Sequence, residues 1–142
     1  MVKEIVKDLE TLKTVSSPYM KADADIIQDL LDTAEAHRDE CAGLAAIQIG
    51  YPVKAFVMGT FTQTDGKKFI PVINPAIIRR SPRTYIATEG CLSLEGQRQV
   101  KRHEWVDVIY ETRSGGRISK RLTGFQAEVF QHEFDHTKGI II

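Results

Sequence analysis

What this sequence lacks narrows its class before any motif is read. It has only two cysteines in 142 residues, Cys41 and Cys91. That is too few for a disulfide-stapled scaffold, so apolar packing must hold the fold and the two thiols are expected to be free or metal-bound. No apolar run reaches the roughly 20 residues that span a bilayer. The opening stretch, Met1-Val2-Lys3-Glu4-Ile5-Val6-Lys7-Asp8-Leu9, interleaves charge with apolar residues and has no signal-peptide form. A cytoplasmic protein without membrane contact is the expectation. An excess of either charge is also missing: 19 basic and 19 acidic residues give a formal net charge of zero, so nothing points to nucleic acid as a partner. Finally, there is no repeat, low-complexity tract or Pro/Gly/Ser-rich linker. Residues 1–142 are therefore expected to form one domain around one core.

What is present reads as a mixed fold. Hydrophobic residues make up 42% of the chain and charged residues 27%, the balance of a globular protein. Ile26, Ile27, Leu30, Leu31 and Ala34 recur at helical spacing and predict a helix from about 23 to 38, capped at Asp23 or Asp25. A small-residue stretch, Cys41-Ala42-Gly43-Leu44-Ala45-Ala46-Ile47-Gln48-Ile49-Gly50, precedes strand-like runs at 53–58 and 69–78. Val106, Val108 and Tyr110 alternate with Asp107, Ile109 and Glu111. Ser114-Gly115-Gly116 then turns the chain into 117–122, predicting a hairpin. Thr123 with Gln126 three residues on forms a capping-box pattern, and Lys138-Gly139 supplies a C-terminal end, so the last helix should span 124–138. Ile140 to Ile142 is a candidate short strand. The fold class expected is α+β, with antiparallel strands around a C-terminal helix and an N-terminal helix beside them.

That last helix carries the chemistry. Phe125, Val129, His132 and His136 fall on one apolar, inward face, and His132-Glu133-Phe134-Asp135-His136 has the H-E-x-x-H form. Histidines at i and i+4 point the same way and can share one metal ion, and Glu133 between them can then reach a water on that ion; the alternative is one hydrogen-bonded core histidine and one near the surface. A hydrolytic site of this kind takes three protein ligands and leaves one position open. After His136 the sequence holds only Thr137-Lys138-Gly139-Ile140-Ile141-Ile142, so the third ligand is sought upstream. The two thiols lead, with His37, His103 and several carboxylates behind them. Cys91 stands out because Gly90 beside it lets backbone approach an ion; Cys41 also reads as a small buried hydrophobe.

Three segments, in order, resemble the three motifs of the peptide deformylase family. The glycine-rich G-x-G-x-A-A-x-Q motif is matched by Cys41 to Gln48, E-G-C-L-S is complete from Glu89 to Ser93, and H-E-x-D-H preceded by glutamine runs from Gln131 to His136. The resemblance implies a single catalytic domain over 1–142 that removes the N-formyl group from N-formylmethionine of nascent proteins, with a formylmethionyl peptide at the ribosome exit as substrate. It implies Cys91, His132 and His136 as ligands of one divalent metal, Fe(II) in vivo, with Zn, Ni or Co able to take the site. A metal-activated water attacks the formyl carbonyl, with Glu133 as general base and then acid. The backbone N–H of Leu92 and the side-chain amide of Gln48 are implied as oxyanion donors. Gly43 would pair with the substrate backbone, and Leu92, Phe125, Val129 and the His132 ring would receive the methionine side chain. Asp135 with Arg102 is expected to steady the metal helix.

The match is not complete. Cys41 stands where the first motif has its first glycine, and Leu94-Glu95 stands where many members have an apolar residue followed by proline. Two rival readings follow: a deformylase-like protein whose metal site is not catalytic, and an H-E-x-x-H metallopeptidase, against which the cysteine motif counts.

Overall fold

The computed structural model describes residues 1–62 and 66–142. In chain order it contains helices α1 (Leu9–Leu12), α2 (Ala24–Ala36) and α3 (Gly124–Thr137). Its strands are β1 (Gly43–Ala45), β2 (Ala55–Thr62), β3 (Gly66–Arg80), β4 (Thr84–Cys91), β5 (Leu94–His103), β6 (Trp105–Glu111) and β7 (Arg117–Thr123). Five strands form an antiparallel sheet in the order β1-β2-β3-β6-β7, and β4 pairs with β5 alone. The α+β class expected from sequence is the class observed, and β6 with β7 is the expected hairpin.

Alternation along β2 decides which helix meets which face of the sheet. Successive side chains of a strand point to opposite sides. Ala55 and Val57 accordingly pack with Ile26, Ile27, Leu30 and Ala34 of α2. Phe56 and Met58 pack on the other side with Val106, Val108 and Leu122 and with Ala127, Val129 and Phe130 of α3. Phe130 meets Phe56 edge to face at a centroid distance of 5.1 Å. Each Val, Leu, Ile, Phe or Met among them, fully buried, contributes roughly 1.5–3 kcal/mol. The sheet is thus clamped between the two helices, and α3 is held by its apolar face.

The β4–β5 hairpin is fastened differently. Most of β5 is exposed on both sides, so apolar packing does little to hold it. It is tied to α3 by the buried Gln131 side chain, which accepts from His103 N–H (2.8 Å) and donates to His103 C=O (2.9 Å). At the far end of α3, Gly139 has φ of 73°, and a Cβ there would lie 2.3 Å from the Lys13 carbonyl oxygen. Only glycine lets the helix end pack against the N-terminal segment in this way.

Three local expectations need correction. Thr123 occupies the N-cap position of α3 but makes no side-chain capping bond. It is still paired with Trp105 in the ladder, with φ −132° and ψ 167°, so its hydroxyl follows the strand and does not fold over the helix. Asp23 likewise does not cap α2; its carboxylate accepts the Met20 N–H at 2.8 Å and closes the turn before the helix. Ile140 to Ile142 forms no strand, and Ile140 N–H donates back to the Asp135 carbonyl.

Candidate metal centre

Two elements bring the three candidate ligands together. On α3, His132 and His136 lie one turn apart, with ring centroids 5.0 Å apart. Cys91 is the last residue of β4, just before the turn formed by Leu92 and Ser93. The donor atoms of Cys91, His132 and His136 all lie within 4.8 Å of one another. Metal–ligand lengths of about 2.0–2.3 Å put neighbouring donors of a tetrahedral site about 3.3–3.7 Å apart. The Cys91 Sγ to His136 Nε2 separation is 3.5 Å. The cluster therefore fits one transition-metal ion, with thiolate and imidazole as donors of matching softness.

Behind these donors stands a buried ionic network. Glu89 is two residues before Cys91, so both side chains leave the same face of β4. One Glu89 oxygen accepts the Nδ1–H of His132 at 2.8 Å, and the carboxylate takes two hydrogen bonds from Arg102 at 2.9 and 2.7 Å. Arg102 also donates to Asp135 at 2.7 Å. The Nδ1 bond fixes the His132 tautomer so that Nε2 faces the site. The expected Arg102–Asp135 pair is present, but it is one arm of a larger arrangement whose hub, Glu89, sequence reasoning passed over. The signal that would have found it is its two-residue spacing from Cys91 on a strand.

Charge around the donors follows from this crowding. Burial works against a charged Glu89, yet Arg102 and His132 hold its carboxyl at about 2. Burial likewise opposes the His132 imidazolium, but Glu133, Cys91 and Glu89 outweigh it and raise His132 to about 10. His136 is pushed down to about 3 by burial and by the charge on His132. Glu133 is enclosed, 3% exposed, and burial lifts it to about 7 against the pull of His132. Among the described residues, its Oε1 and the Nδ1 of His136 have no hydrogen-bond partner. An enclosed carboxylate with one oxygen free of donors, beside a candidate metal site, is poised to take a proton.

The remaining candidates line the same cavity of about 460 Å³, together with Cys41, Thr88, Gln97 and Glu128. Gln48 is locked: its Oε1 accepts the Ala45 N–H at 3.0 Å, and its Nε2 faces Cys91 Sγ at 3.2 Å and Ser93 Oγ at 3.1 Å. Leu92 lines the cavity from the turn. Val129 is buried in its wall, whereas Phe125, 54% exposed, stands at the mouth and is not part of the inward face expected for it. Gly43 lies on β1, the edge strand, and a Cβ there would sit 2.9 Å from Glu133 Oε2. Cys41 is buried and free, donates to the Gly43 carbonyl at 3.3 Å, and burial and the nearby Glu133 push its thiol up to about 12. Cys41 is outside the donor cluster. Among the described residues, no helix is long and apolar enough to cross a membrane.

Comparison with known proteins gives the family. The profile of the polypeptide deformylase family matches residues 2–142. A peptide deformylase of Clostridium beijerinckii is 40% identical over 142 residues, covering all of both chains. The solved peptide deformylase of Thermotoga maritima superposes with a TM-score of 0.84 at 32% identity, over 99% of this chain and 95% of that one. A class I type b peptide deformylase of Acinetobacter baumannii, solved with Met-Ala-Ser bound, gives 0.87 at 25% identity over 99% and 97%. Over its whole described length, in sequence and in fold, this chain belongs to the polypeptide deformylase family of metal-dependent hydrolases.

Proposed function

We propose that this protein removes the N-formyl group from the initiator methionine of newly made proteins, and that residues 1–142 act as a single catalytic domain. The observation that carries the mechanism is the enclosed Glu133 carboxylate, whose Oε1 has no hydrogen-bond partner among the described residues, beside three donors that fit one ion. Cys91 Sγ, His132 Nε2 and His136 Nε2 would hold a divalent metal, Fe(II) in the cell with Zn, Ni or Co as substitutes. When bound, it supplies Lewis acidity and lowers the pKa of water at the open fourth position. Glu133 takes the proton of the attacking water. A pKa lifted toward neutrality suits that task, and the same carboxyl then returns the proton to the departing amine.

The other residues orient and stabilise. The Leu92 N–H and the Gln48 amide donate to the oxygen on which charge builds as the formyl carbon is attacked. Gln48 is held ready by its bonds to Ala45 and Ser93, which remove the freedom to turn away. Gly59 N–H donates to the Ala42 carbonyl across β1 and β2, so by alternation the N–H and C=O of Gly43 turn away from β2 toward the cavity. They would pair with the substrate backbone, as a strand added to a sheet edge. Leu92, Phe125, Val129 and the His132 ring offer the apolar surface for the methionine side chain. The Acinetobacter baumannii enzyme that holds Met-Ala-Ser supports a substrate of this length. We place the reaction on nascent chains at the ribosome exit, in the cytoplasm.

The test is Glu133→Gln, measured by kcat/KM on formyl-Met-Ala-Ser beside metal content. Metal should stay, and the rate should fall about 10²- to 10⁴-fold, the range of general acid–base catalysis. An equally active variant at full occupancy would refute the assignment.

A further inference from the structure

We propose that Gly43 is a positioning residue for the Glu133 carboxylate: its bare Cα forms the wall that keeps the acid turned toward the three donors. The inference rests on Glu133 being the group that moves protons. Among the described residues, no hydrogen bond holds that side chain where it is. Its Oε1 has no partner, and its Oε2 stands 4.0 Å from His132 Nε2, beyond hydrogen-bond length. A glutamate has rotatable bonds, and the attraction of the His132 ring at 4.0 Å is not directional, so the orientation of the carboxylate is left to what it touches.

What it touches is β1. A Cβ on Gly43 would lie 2.9 Å from Glu133 Oε2, 3.0 Å from Glu133 Cγ and 3.0 Å from the Val57 carbonyl oxygen. The carboxylate end alone could swing aside in an open site, but this one is 3% exposed, and the Cγ clash lies closer to the helix backbone. Val57 O is main chain of the paired strand. An alanine must therefore shift the acid, or move β1 against β2, by a few tenths of an ångström. The same residue thus turns its backbone polar groups to the substrate and its Cα to the acid.

The experiment is a double-mutant cycle on the metal-loaded protein with formyl-Met-Ala-Ser, reading kcat, KM, metal content and thermal midpoint. Gly43→Ala should keep its metal and lower kcat about 10- to 100-fold, the cost of a misplaced reacting group. In the Glu133→Gln background the same change should lower kcat by a factor several-fold smaller than in wild type, because the group it displaces no longer moves protons. Equal losses in both backgrounds, or a loss confined to KM, overturn the proposal. Should Gly43→Ala fail to fold with metal, pairing it with Glu133→Ala removes Cγ and carboxylate together and should restore metal content and midpoint. No restoration means that the Val57 contact dominates, and the proposal fails. If Glu133→Gln is as active as wild type, the proton-moving reading itself falls, and the midpoints of Gly43→Ala with and without Glu133→Ala still decide whether the two residues pack as described.

Discussion

Removing the charge of Glu89 should loosen the metal and the fold together, by amounts that follow from its contacts. Glu89 accepts three hydrogen bonds, two from Arg102 and one from His132 Nδ1. Glu89→Gln keeps the shape and one acceptor oxygen but turns the other into a donor facing a cation. Breaking a buried ion pair outright costs about 3–5 kcal/mol. Here Arg102 keeps Asp135 at 2.7 Å, whose side chain is partly exposed, so the loss should be smaller, about 2–3 kcal/mol. The metal pays separately: losing the acceptor that orients a ligating histidine weakens binding about 10- to 100-fold. Competition against a chelator with Zn(II), run beside urea unfolding of the metal-free chain, reads both quantities. Wild-type affinity and stability in Glu89→Gln would show that His132 is oriented by something else.

Cys91→Ala should lose tight metal binding, whereas Cys41→Ala should keep a full complement; plasma emission on the purified variants decides, and metal lost with Cys41 would mean the wrong thiol was chosen. Gln48→Ala should keep the metal and slow turnover about 10²- to 10³-fold through lost oxyanion stabilisation, seen in kcat on a formyl-methionyl peptide. Metal affinity should rise with pH. In the metal-free chain His132 is raised to about 10 and so carries a proton throughout the neutral range, which must leave before Nε2 can bind. The gain should be about tenfold or more per unit between pH 6 and 8, and chelator competition at three pH values would expose a flat profile.

The elements legible in the sequence were those whose signal is local. The H-E-x-x-H pair needs only helical spacing, and β6 with β7 shows clean alternation around Ser114-Gly115-Gly116. The β4–β5 hairpin was less distinct, because polar residues occupy both faces of β5 and no period of two survives. Thr123 had the right residue type for a cap, yet strand pairing took precedence over local propensity. At the site, the ligands and Glu133 were readable from motif and helix face. Glu89 and Gly43 owe their roles to contacts across 43 and 90 positions of chain, with His132 and Glu133 respectively. Glycine at 43 reads as backbone freedom in a sequence, whereas in the fold it is the space that an acid fills.

The central claim is that this site hydrolyses a formyl group, and formate release tests it most directly. The protein should be loaded with Fe(II) under anaerobic conditions, its metal content measured, and formyl-Met-Ala-Ser supplied with Glu133→Gln run in parallel. Stoichiometric metal with catalytic formate release by wild type, and a rate lower by about 10²-fold or more in Glu133→Gln, is the result expected. Full occupancy with reduced iron and no formate released by wild type would contradict it, leaving a metal-holding protein that does not turn over this substrate.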